Sequence, residues 1–241
     1  MDISNAKNLI VSTFERRFDK AQFRKFIINF LDGINEAKAF NVGNAQVKEA
    51  FRKNILSYSR IGQYTDKTGS IIDALTVHVN DNCSLDRSRT MLRNFVADYM
   101  RQKQKDTALV AFYKDSDPDW RFSFVKLEMS LQQDEKGKVK VVNEFTPAKR
   151  YSYLVGEMEP NHTAQSRLIN LLIKDYPTLD EIEEAFNVEK VSKEFFANYK
   201  ELFLQLVDNL KDIRKNESSQ RINTEFRSEE HTSELQSRLH L

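Results

Sequence analysis

The chain has 241 residues, with 37 Lys and Arg against 36 Asp and Glu, and 40% of the residues are hydrophobic. Its 17 Phe and 8 Tyr supply enough apolar material for a packed core, which excludes an intrinsically disordered chain. The net charge of +1 gives no global signature of nucleic-acid or membrane binding, so any basic surface must be local. The single Cys83 excludes an internal disulfide, and no apolar run approaches the roughly 20 residues of a membrane span. Because the N-terminus also lacks the apolar region of a signal peptide, we expect a cytoplasmic protein.

The N-terminal region has helical periodicity. Apolar residues between positions 5 and 31 recur at spacings of three and four, which predicts two amphipathic helices, with Gly33 ending the second. A further short helix is predicted over residues 44–53. Residues 55–64 and 70–79 are then rich in β-forming types, and the turn between them contains the Asp and Gly that a tight hairpin needs. The sequence therefore changes from helices to a β-hairpin.

A helix and a buried strand are predicted after this hairpin. Ser84 or Asp86 is a candidate cap for a helix whose apolar positions extend from Met91 to Met100. The unbroken apolar run over 107–113 has the length of a strand and predicts a central strand that is covered on both faces.

The following segments predict further strands. Residues 120–128 alternate along their first half, and the turn residues 134–137 are expected to pair them with 139–145 in a second hairpin. Residues 149–155 predict one more extended segment. The order of these elements predicts an α/β (α+β) fold, in which a mixed β-sheet has helices on its faces.

The chain becomes helical from His162 onward. Thr178 and Glu181 form a capping box, which predicts a short helix that ends near Val188. Ser192 is a candidate cap for the last helix, whose apolar residues follow a heptad spacing: Phe196, Tyr199, Phe203, Leu206, Leu210 and Ile213. This stripe either folds back on the helices of residues 5–31 or packs against a C-terminal part that lies beyond this chain, and we favour the second.

The last residues have no apolar periodicity of either kind. Residues 227–237 resemble, position by position, the translation of a common sequencing-adapter oligonucleotide. We therefore expect residues 217–241 to be disordered, residues 227–241 to be artefactual and the natural chain to have been cut. A natural disordered tail is the alternative.

Several stretches are informative when they are taken in order. They lie at 59–63 (Ser-Arg-Ile-Gly-Gln), 72–75, 84–91, 93–96, 108–112, 119–124 (Asp-Trp-Arg-Phe-Ser-Phe), 145–155, 162–165 and 186–196. This series resembles the N-terminal region of type IIG-like bacterial restriction–modification enzymes, in which one polypeptide joins an endonuclease-like region, an adenine-specific DNA methyltransferase and a target-recognition region. The resemblance covers roughly residues 50–213 and is specific as a series.

This resemblance implies a nuclease-like α/β domain over residues 1–155 and a helical connector over 156–216 that leads to a missing methyltransferase domain. It implies double-stranded DNA as a partner, together with the missing methyltransferase and target-recognition regions, and no membrane. S-adenosylmethionine is the cofactor expected for the missing domain. The chain contains neither Gly-x-Gly nor Pro-Pro, which the cofactor turn and the adenine-binding loop of such enzymes need. We therefore expect no cofactor-dependent methylation by this fragment alone.

Asp73 is the candidate catalytic and metal-binding residue. Nucleases of the PD-(D/E)XK type hold Mg²⁺ with an Asp and a later Glu/Asp-x-Lys on adjacent strands. Asp73 fits the first position, since a carboxylate in an apolar strand costs free energy unless something binds it. The later triplet is missing, because residues 76–78 are Thr-Val-His. Either other carboxylates contribute, such as Glu49 and Asp66, or the Mg²⁺ site is inactive; His78 is interpreted as structural.

Two pairs of basic residues are candidate DNA contacts. Arg89 and Arg93 lie at the border of the apolar arc of their predicted helix. They either pair with a carboxylate of the sheet, such as Asp73, or grip a DNA phosphate with two parallel hydrogen bonds. Lys149 and Arg150 adjoin two tyrosines and either contact the DNA backbone or form a solvated strand end.

These observations leave two main hypotheses. The chain is the N-terminal region of a restriction–modification enzyme with a nuclease-like domain, or it is a non-catalytic module that binds DNA or a partner. Two or three carboxylates within about 4 to 5 Å of each other would favour the nuclease. An isolated Asp73 paired with Arg89 or Arg93 would favour the module. A third possibility is a self-contained protein whose last helix packs internally.

Overall fold

The computed structural model describes residues 1–105, 107–127, 130–133, 139–142, 149–159, 161–187 and 195–212, and for 130–133, 139–142 and 149–150 it describes the backbone alone. The chain divides into two compact units, Met1–Asn187 and Val188–Leu241. The first unit contains the sheet and all of the candidate site residues.

A six-stranded mixed sheet lies at the centre of the first unit. Its strands, in spatial order, are β1 (Phe40–Gly43), β2 (Ile55–Thr65), β3 (Ile71–Val79), β4 (Thr107–Tyr113), β5 (Asp119–Lys126) and β8 (Lys149–Gly156). β3 and β4 are parallel, and the other neighbouring pairs are antiparallel. The short strands β6 (Ser130–Gln133) and β7 (Val139–Val142) form a separate antiparallel ribbon.

Helices cover both faces of the sheet. In chain order they are α1 (Ile3–Phe14), α2 (Lys20–Phe30), α3 (Glu49–Arg52), α4 (Arg89–Lys103), α5 (His162–Ile173) and α6 (Leu179–Phe186). α1, α2, α5 and α6 share one core with the sheet, and α4 shares a second core with the other face. The predicted α+β class, a mixed sheet flanked by helices, is confirmed.

The first core, here called the α1-side core, is rich in aromatic residues. Its largest fully buried members are Trp120, Tyr64, Phe14, Phe23, Phe26, Phe30, Phe122, Phe124 and Phe186. Phe122 of β5 contacts the rings of Phe14, Phe26 and Phe186, so one strand residue joins three helices. Leu168 and Leu172 of α5 are buried in this core. The helices α5 and α6, which follow residue 155, therefore share this core with the sheet.

The second core, here called the α4-side core, lies between α4 and the opposite face of the sheet. Leu92, Val96 and Met100 of α4 are fully buried in it. α4 begins at Arg89 with Ser88 as its N-cap, so the predicted caps Ser84 and Asp86 are wrong. The Ser84 hydroxyl instead accepts from the amide of Arg87 at 3.2 Å, inside the turn that precedes the helix.

The strand predictions were partly right. The hairpin of β2 and β3 is confirmed, and β4 is buried along Thr107–Phe112 with residues in both cores. The second predicted hairpin is wrong, because β5 pairs with β4 and β8. The strand at Val139–Val142 pairs with Ser130–Gln133 instead.

The predicted helices were mostly right. The two N-terminal helices are confirmed, whereas the helix predicted over 44–53 is broken into a 3₁₀ turn at Asn44–Gln46 and α3. The capping box of Thr178 and Glu181 is present and begins α6. No helix of the described residues combines the length and the apolar character needed to cross a membrane.

The second unit contains one described helix, α7, over residues 195–212. The described apolar residues of its predicted heptad stripe are all exposed; Phe196, for example, is 70% exposed and Leu210 is 56% exposed. Ser192, Ile213 and the tail at 217–241 lie outside the described residues.

Candidate functional site

Asp73 lies within β3 and is fully buried. Three side chains donate hydrogen bonds to its carboxylate. Arg60 Nη1 is 3.0 Å and the Tyr99 hydroxyl 2.6 Å from Oδ2, and Gln63 Nε2 is 3.0 Å from Oδ1. The buried charge is therefore neutralised by a guanidinium and solvated by two further donors, which is the condition under which a buried carboxylate is tolerated.

A β-bulge in β2 brings two of these donors together. Side chains three positions apart in a regular strand point to opposite faces, so Arg60 and Gln63 should not share a partner. The register shifts between Arg60 and Gly62, which inserts Ile61 as an extra residue. Both side chains consequently lie on the α4 side of the sheet, where Asp73 also lies.

Neighbouring groups fix the orientation of Arg60. Its Nε donates to the carbonyl of Lys38 at 2.7 Å, and its guanidinium carbon lies 4.6 Å from the ring centroid of Phe40. On the other side of the carboxylate, burial and the bond to Asp73 raise the pKa of Tyr99, so this phenol stays protonated and donates. The cluster of Asp73, Arg60, Gln63 and Tyr99 is named here the Asp73 cluster.

The other carboxylates suggested for a metal site lie apart from a common centre. Glu49 is an exposed residue of α3. Across the described ranges, no group of three His, Cys, Asp or Glu side chains is arranged to hold a metal ion. The cation paired with Asp73 is Arg60, where the sequence had pointed to Arg89 or Arg93.

Asp66 caps two turns of the backbone. Its Oδ1 accepts from the amides of Thr68 at 2.8 Å and Ser70 at 2.9 Å, and its Oδ2 accepts from the amide of Leu179 at 2.9 Å. Burial alone would raise the pKa of Asp66, but these bonds and one from the Thr68 hydroxyl hold the pKa below its ordinary value of 3.8. The carboxylate thus serves as a structural acceptor.

His78 lies near the end of β3 in a stacked arrangement. Its ring is 4.8 Å from that of Tyr113 with an interplanar angle of 4°, and its Nε2 lies 3.2 Å from Asp115. These contacts agree with the structural interpretation of His78.

The second group of charged residues surrounds Asp86, in the turn that leads into α4. Arg121 of β5 donates through Nη2 to Asp86 Oδ1, and Arg89 donates through Nη2 to the same oxygen at 3.4 Å. The hydrogen bond and charge of Arg121, together with those of Arg89, lower the pKa of Asp86 against the effect of its burial. Arg93, one turn further along α4, is half-buried. Of the two predicted arginines, the structure therefore places Arg89 in an ion pair on this surface.

Hydroxyl groups line the same face of β5 and β8. Ser123 lies opposite Ser152 in the ladder, and their hydroxyl oxygens are 3.1 Å apart. Arg121 Nη1 donates to Ser152 Oγ at 3.4 Å. The candidate residues Lys149 and Arg150 lie on β8 opposite Lys126 and Val125, and their side chains are outside the described part of the chain.

Arg60 and Arg121 were not predicted from the sequence. Arg121 carries the same signal as Asp73, because a charged residue in the apolar segment Trp120–Val125 also needs a partner. Arg60 gave no such signal, since its place beside Asp73 depends on the bulge at Ile61.

No protein-family model, curated protein or solved structure matches this chain.

Proposed function

We propose that this chain is the N-terminal part of a DNA restriction–modification enzyme and that its sheet unit contacts DNA without cleaving it. The ordered resemblance across residues 50–213 supports the first statement. The three hydrogen bonds that the Asp73 carboxylate accepts, one of them from a guanidinium, support the second statement and are the observation that carries it. S-adenosylmethionine, the methyltransferase and target recognition belong, in this proposal, to other regions of the cytoplasmic enzyme.

A catalytic Mg²⁺ ion would need oxygen ligands with free lone pairs facing a common point. Each oxygen of Asp73 already accepts a hydrogen bond, and Arg60 would repel a cation that approached the same carboxylate. The metal would have to displace Arg60 and Tyr99 from a fully buried position. The Asp73 cluster is better suited to fixing α4 against the sheet, because Tyr99 belongs to α4 and Arg60 to β2.

α4 presents the arginines that this proposal assigns to DNA. Arg89 has 65% of its side chain exposed, and Arg93 is half-buried one turn later. A guanidinium binds a phosphate diester with two parallel hydrogen bonds. Lys149 and Arg150 on the edge strand β8 are the second assigned pair. Few phosphate contacts produce weak binding with a shallow dependence on salt, because the slope scales with the number of contacts.

The test is a fluorescence-anisotropy titration of a short labelled DNA duplex over a series of salt concentrations. We expect log K to fall with log salt with a slope of about −2 to −4, as two to four phosphate contacts require. Arg93→Ala should lower the affinity, and the matched control Arg16→Ala, in the exposed loop after α1, should leave it unchanged.

Incubation with supercoiled plasmid and Mg²⁺ tests the absence of cleavage. We expect the plasmid to stay intact. Nicking by the wild-type protein that requires Mg²⁺ and stops when the ion is chelated would overturn the non-catalytic assignment. Failure to bind duplex DNA at low salt would overturn the DNA assignment.

A further inference from the structure

Two arginines from different elements share one carboxylate oxygen at the start of α4. Arg121 lies on β5 with only 7% of its side chain exposed, whereas Arg89 is 65% exposed. Both donate to Oδ1 of Asp86, whose own side chain is 61% exposed. A buried and a solvent-facing guanidinium thus converge on an anion that solvent can reach.

Arg121 is incompletely paired in this group. Among the described residues its charged partner is Asp86, whose Oδ1 also accepts from Arg89. Arg121 Nε is buried and has no hydrogen-bond partner among the residues that the structure describes. Its remaining polar contact, Ser152, is neutral. Because a buried guanidinium loses its hydration, a single carboxylate shared with another arginine compensates Arg121 incompletely.

The N-terminus of α4 begins three residues after Asp86 and adds positive potential next to this turn. Asp86 belongs to the turn immediately before this helix. Within the described chain, the side chain of the N-cap residue Ser88 makes no capping hydrogen bond. The Ser88 oxygen instead accepts from Cys83 Sγ at 3.1 Å. The first amides of a helix without a side-chain cap, and the positive end of its dipole, favour an anion.

We propose that Arg121 and Arg89 bind a phosphate group at the start of α4, and that the carboxylate of Asp86 occupies this place when no ligand is bound. A phosphate offers separate oxygens to the two guanidinia, which a single carboxylate oxygen cannot do. Asp86 can leave toward solvent, because it lies on a turn and is largely exposed. The site rests on the proposed function, in which the ligand is a backbone phosphate of DNA; a free phosphate has the same chemistry.

Asp86→Asn is the decisive variant, because it keeps the shape of the side chain and removes the competing charge. We expect its affinity for the labelled duplex to rise by about tenfold, since the anion no longer displaces a carboxylate. Inorganic phosphate should also raise its melting temperature more than it raises that of the wild type, with chloride at equal ionic strength as the reference. If the ion pair is purely structural, Asp86→Asn should instead lower the stability of the protein. It should then neither raise the affinity for DNA nor increase the stabilisation by inorganic phosphate.

Arg89→Ala removes one of the two positive charges of the proposed site. Arg89 is exposed, so we expect the variant to fold. We expect weaker DNA binding and a salt slope reduced by about one. Arg16→Ala is again the matched control, and its slope should equal that of the wild type. Arg121 is left intact in these variants because its removal would disturb the buried face of β5.

Measurements with duplex DNA and with inorganic phosphate distinguish a failure of the proposed site from a failure of the proposed function. Changes of DNA affinity in both variants support the site with a backbone phosphate as its ligand. If no variant binds DNA but Asp86→Asn responds to inorganic phosphate, the site stands with free phosphate as its ligand and the proposed function fails. If DNA binds with the same affinity and slope in all variants and phosphate has no effect, the site is overturned and the proposed function stands.

Discussion

Asp66, in the turn between β2 and β3, accepts a hydrogen bond from the amide of Leu179 at the first residue of α6, 113 positions later in the chain. The hydroxyl of Tyr64 donates to the carbonyl of Pro177 at 2.8 Å in the same region. Two polar contacts, one buried and one partly buried, therefore attach the hairpin to the start of α6 and the segment that precedes it. This attachment explains how the helices after residue 155 join the α1-side core.

Asp66→Asn should destabilise the protein by about 2 kcal/mol, because the charged acceptor serves several donors at once. The pKa of the folded-state carboxyl is lowered below 3.8. The stability that Asp66 contributes is thus fully present above the pKa of the unfolded state, and it is lost as the pH falls through the lower, folded-state pKa. Urea denaturation at pH 7 and at several values below pH 4 measures both effects.

The exposed Asp175 in the loop before α6 offers a control, since Asp175→Asn removes the same charge without these bonds. The variant Asp66→Asn should show a flatter dependence of stability on acid pH than either the wild type or Asp175→Asn. An unchanged acid dependence in Asp66→Asn would contradict the structural role of this carboxylate.

The contact between Asp73 and Tyr99 can be measured with a double-mutant cycle. We expect Tyr99→Phe to cost about 1.5 to 3 kcal/mol, the range for a hydrogen bond to a charged group. Asp73→Asn should cost about 3 to 5 kcal/mol, because it leaves Arg60 buried without its charge partner. The two losses should be non-additive, with Tyr99→Phe costing less when Asp73 is already replaced.

Tyr58→Phe is the control for this cycle. The Tyr58 ring contacts the rings of Phe95 and Tyr99, and within the described residues no hydrogen bond of its hydroxyl is found. We expect the free energy of unfolding of Tyr58→Phe to lie within about 0.5 kcal/mol of the wild-type value. Additive losses for Asp73→Asn and Tyr99→Phe would show that the two side chains act independently.

Gly156 at the end of β8 should not tolerate a side chain. Its φ is +152°, and an added Cβ would lie 2.5 Å from Asp119 Cα and 2.6 Å from the carbonyl oxygen of Pro118. Gly156→Ala should therefore cost at least about 2 kcal/mol from overpacking and strain. Gly43 of β1 has open space at the same position, so Gly43→Ala should change the stability by less than about 0.5 kcal/mol. Equal thermal stability of the two variants would contradict this geometry.

Local sequence patterns predicted the elements that depend on local physics. The turn at residues 65–69 fixed the hairpin of β2 and β3, and the apolar run at 107–113 identified the buried strand β4. Asp73 was recognised because a carboxylate in an apolar strand requires a partner. Its partner was missed, since alternation places Arg60 and Gln63 on opposite faces unless an extra residue intervenes. Gly62, an isolated glycine inside this strand, is a local signal that a bulge can form here, but it does not indicate which residue is inserted.

The pairing of β5 was missed for a different reason. Turn signals indicate which neighbours in sequence can pair, and the turn residues 134–137 pointed to a hairpin with the segment that precedes them. β5 pairs instead with β8, where Ser123 lies opposite Ser152. This choice depends on packing against the helices of the α1-side core. The hydrogen bond from the Tyr153 hydroxyl to the carbonyl of Ala185, at 2.5 Å, is one such long-range contact.

Trp120 is the only tryptophan in the chain and lies entirely in the α1-side core. Its ring makes edge contacts with Phe14, Phe18 and Phe23, and its indole nitrogen donates to the carbonyl of Arg16 at 3.2 Å. Tryptophan fluorescence, excited selectively so that the eight tyrosines do not contribute, therefore reports the docking of α1 and α2 and not that of α4. Circular dichroism reports the helices on both faces of the sheet. If the two signals change together during unfolding, the helices on both faces unfold with the sheet as one cooperative unit. If the transitions separate, the two faces unfold independently.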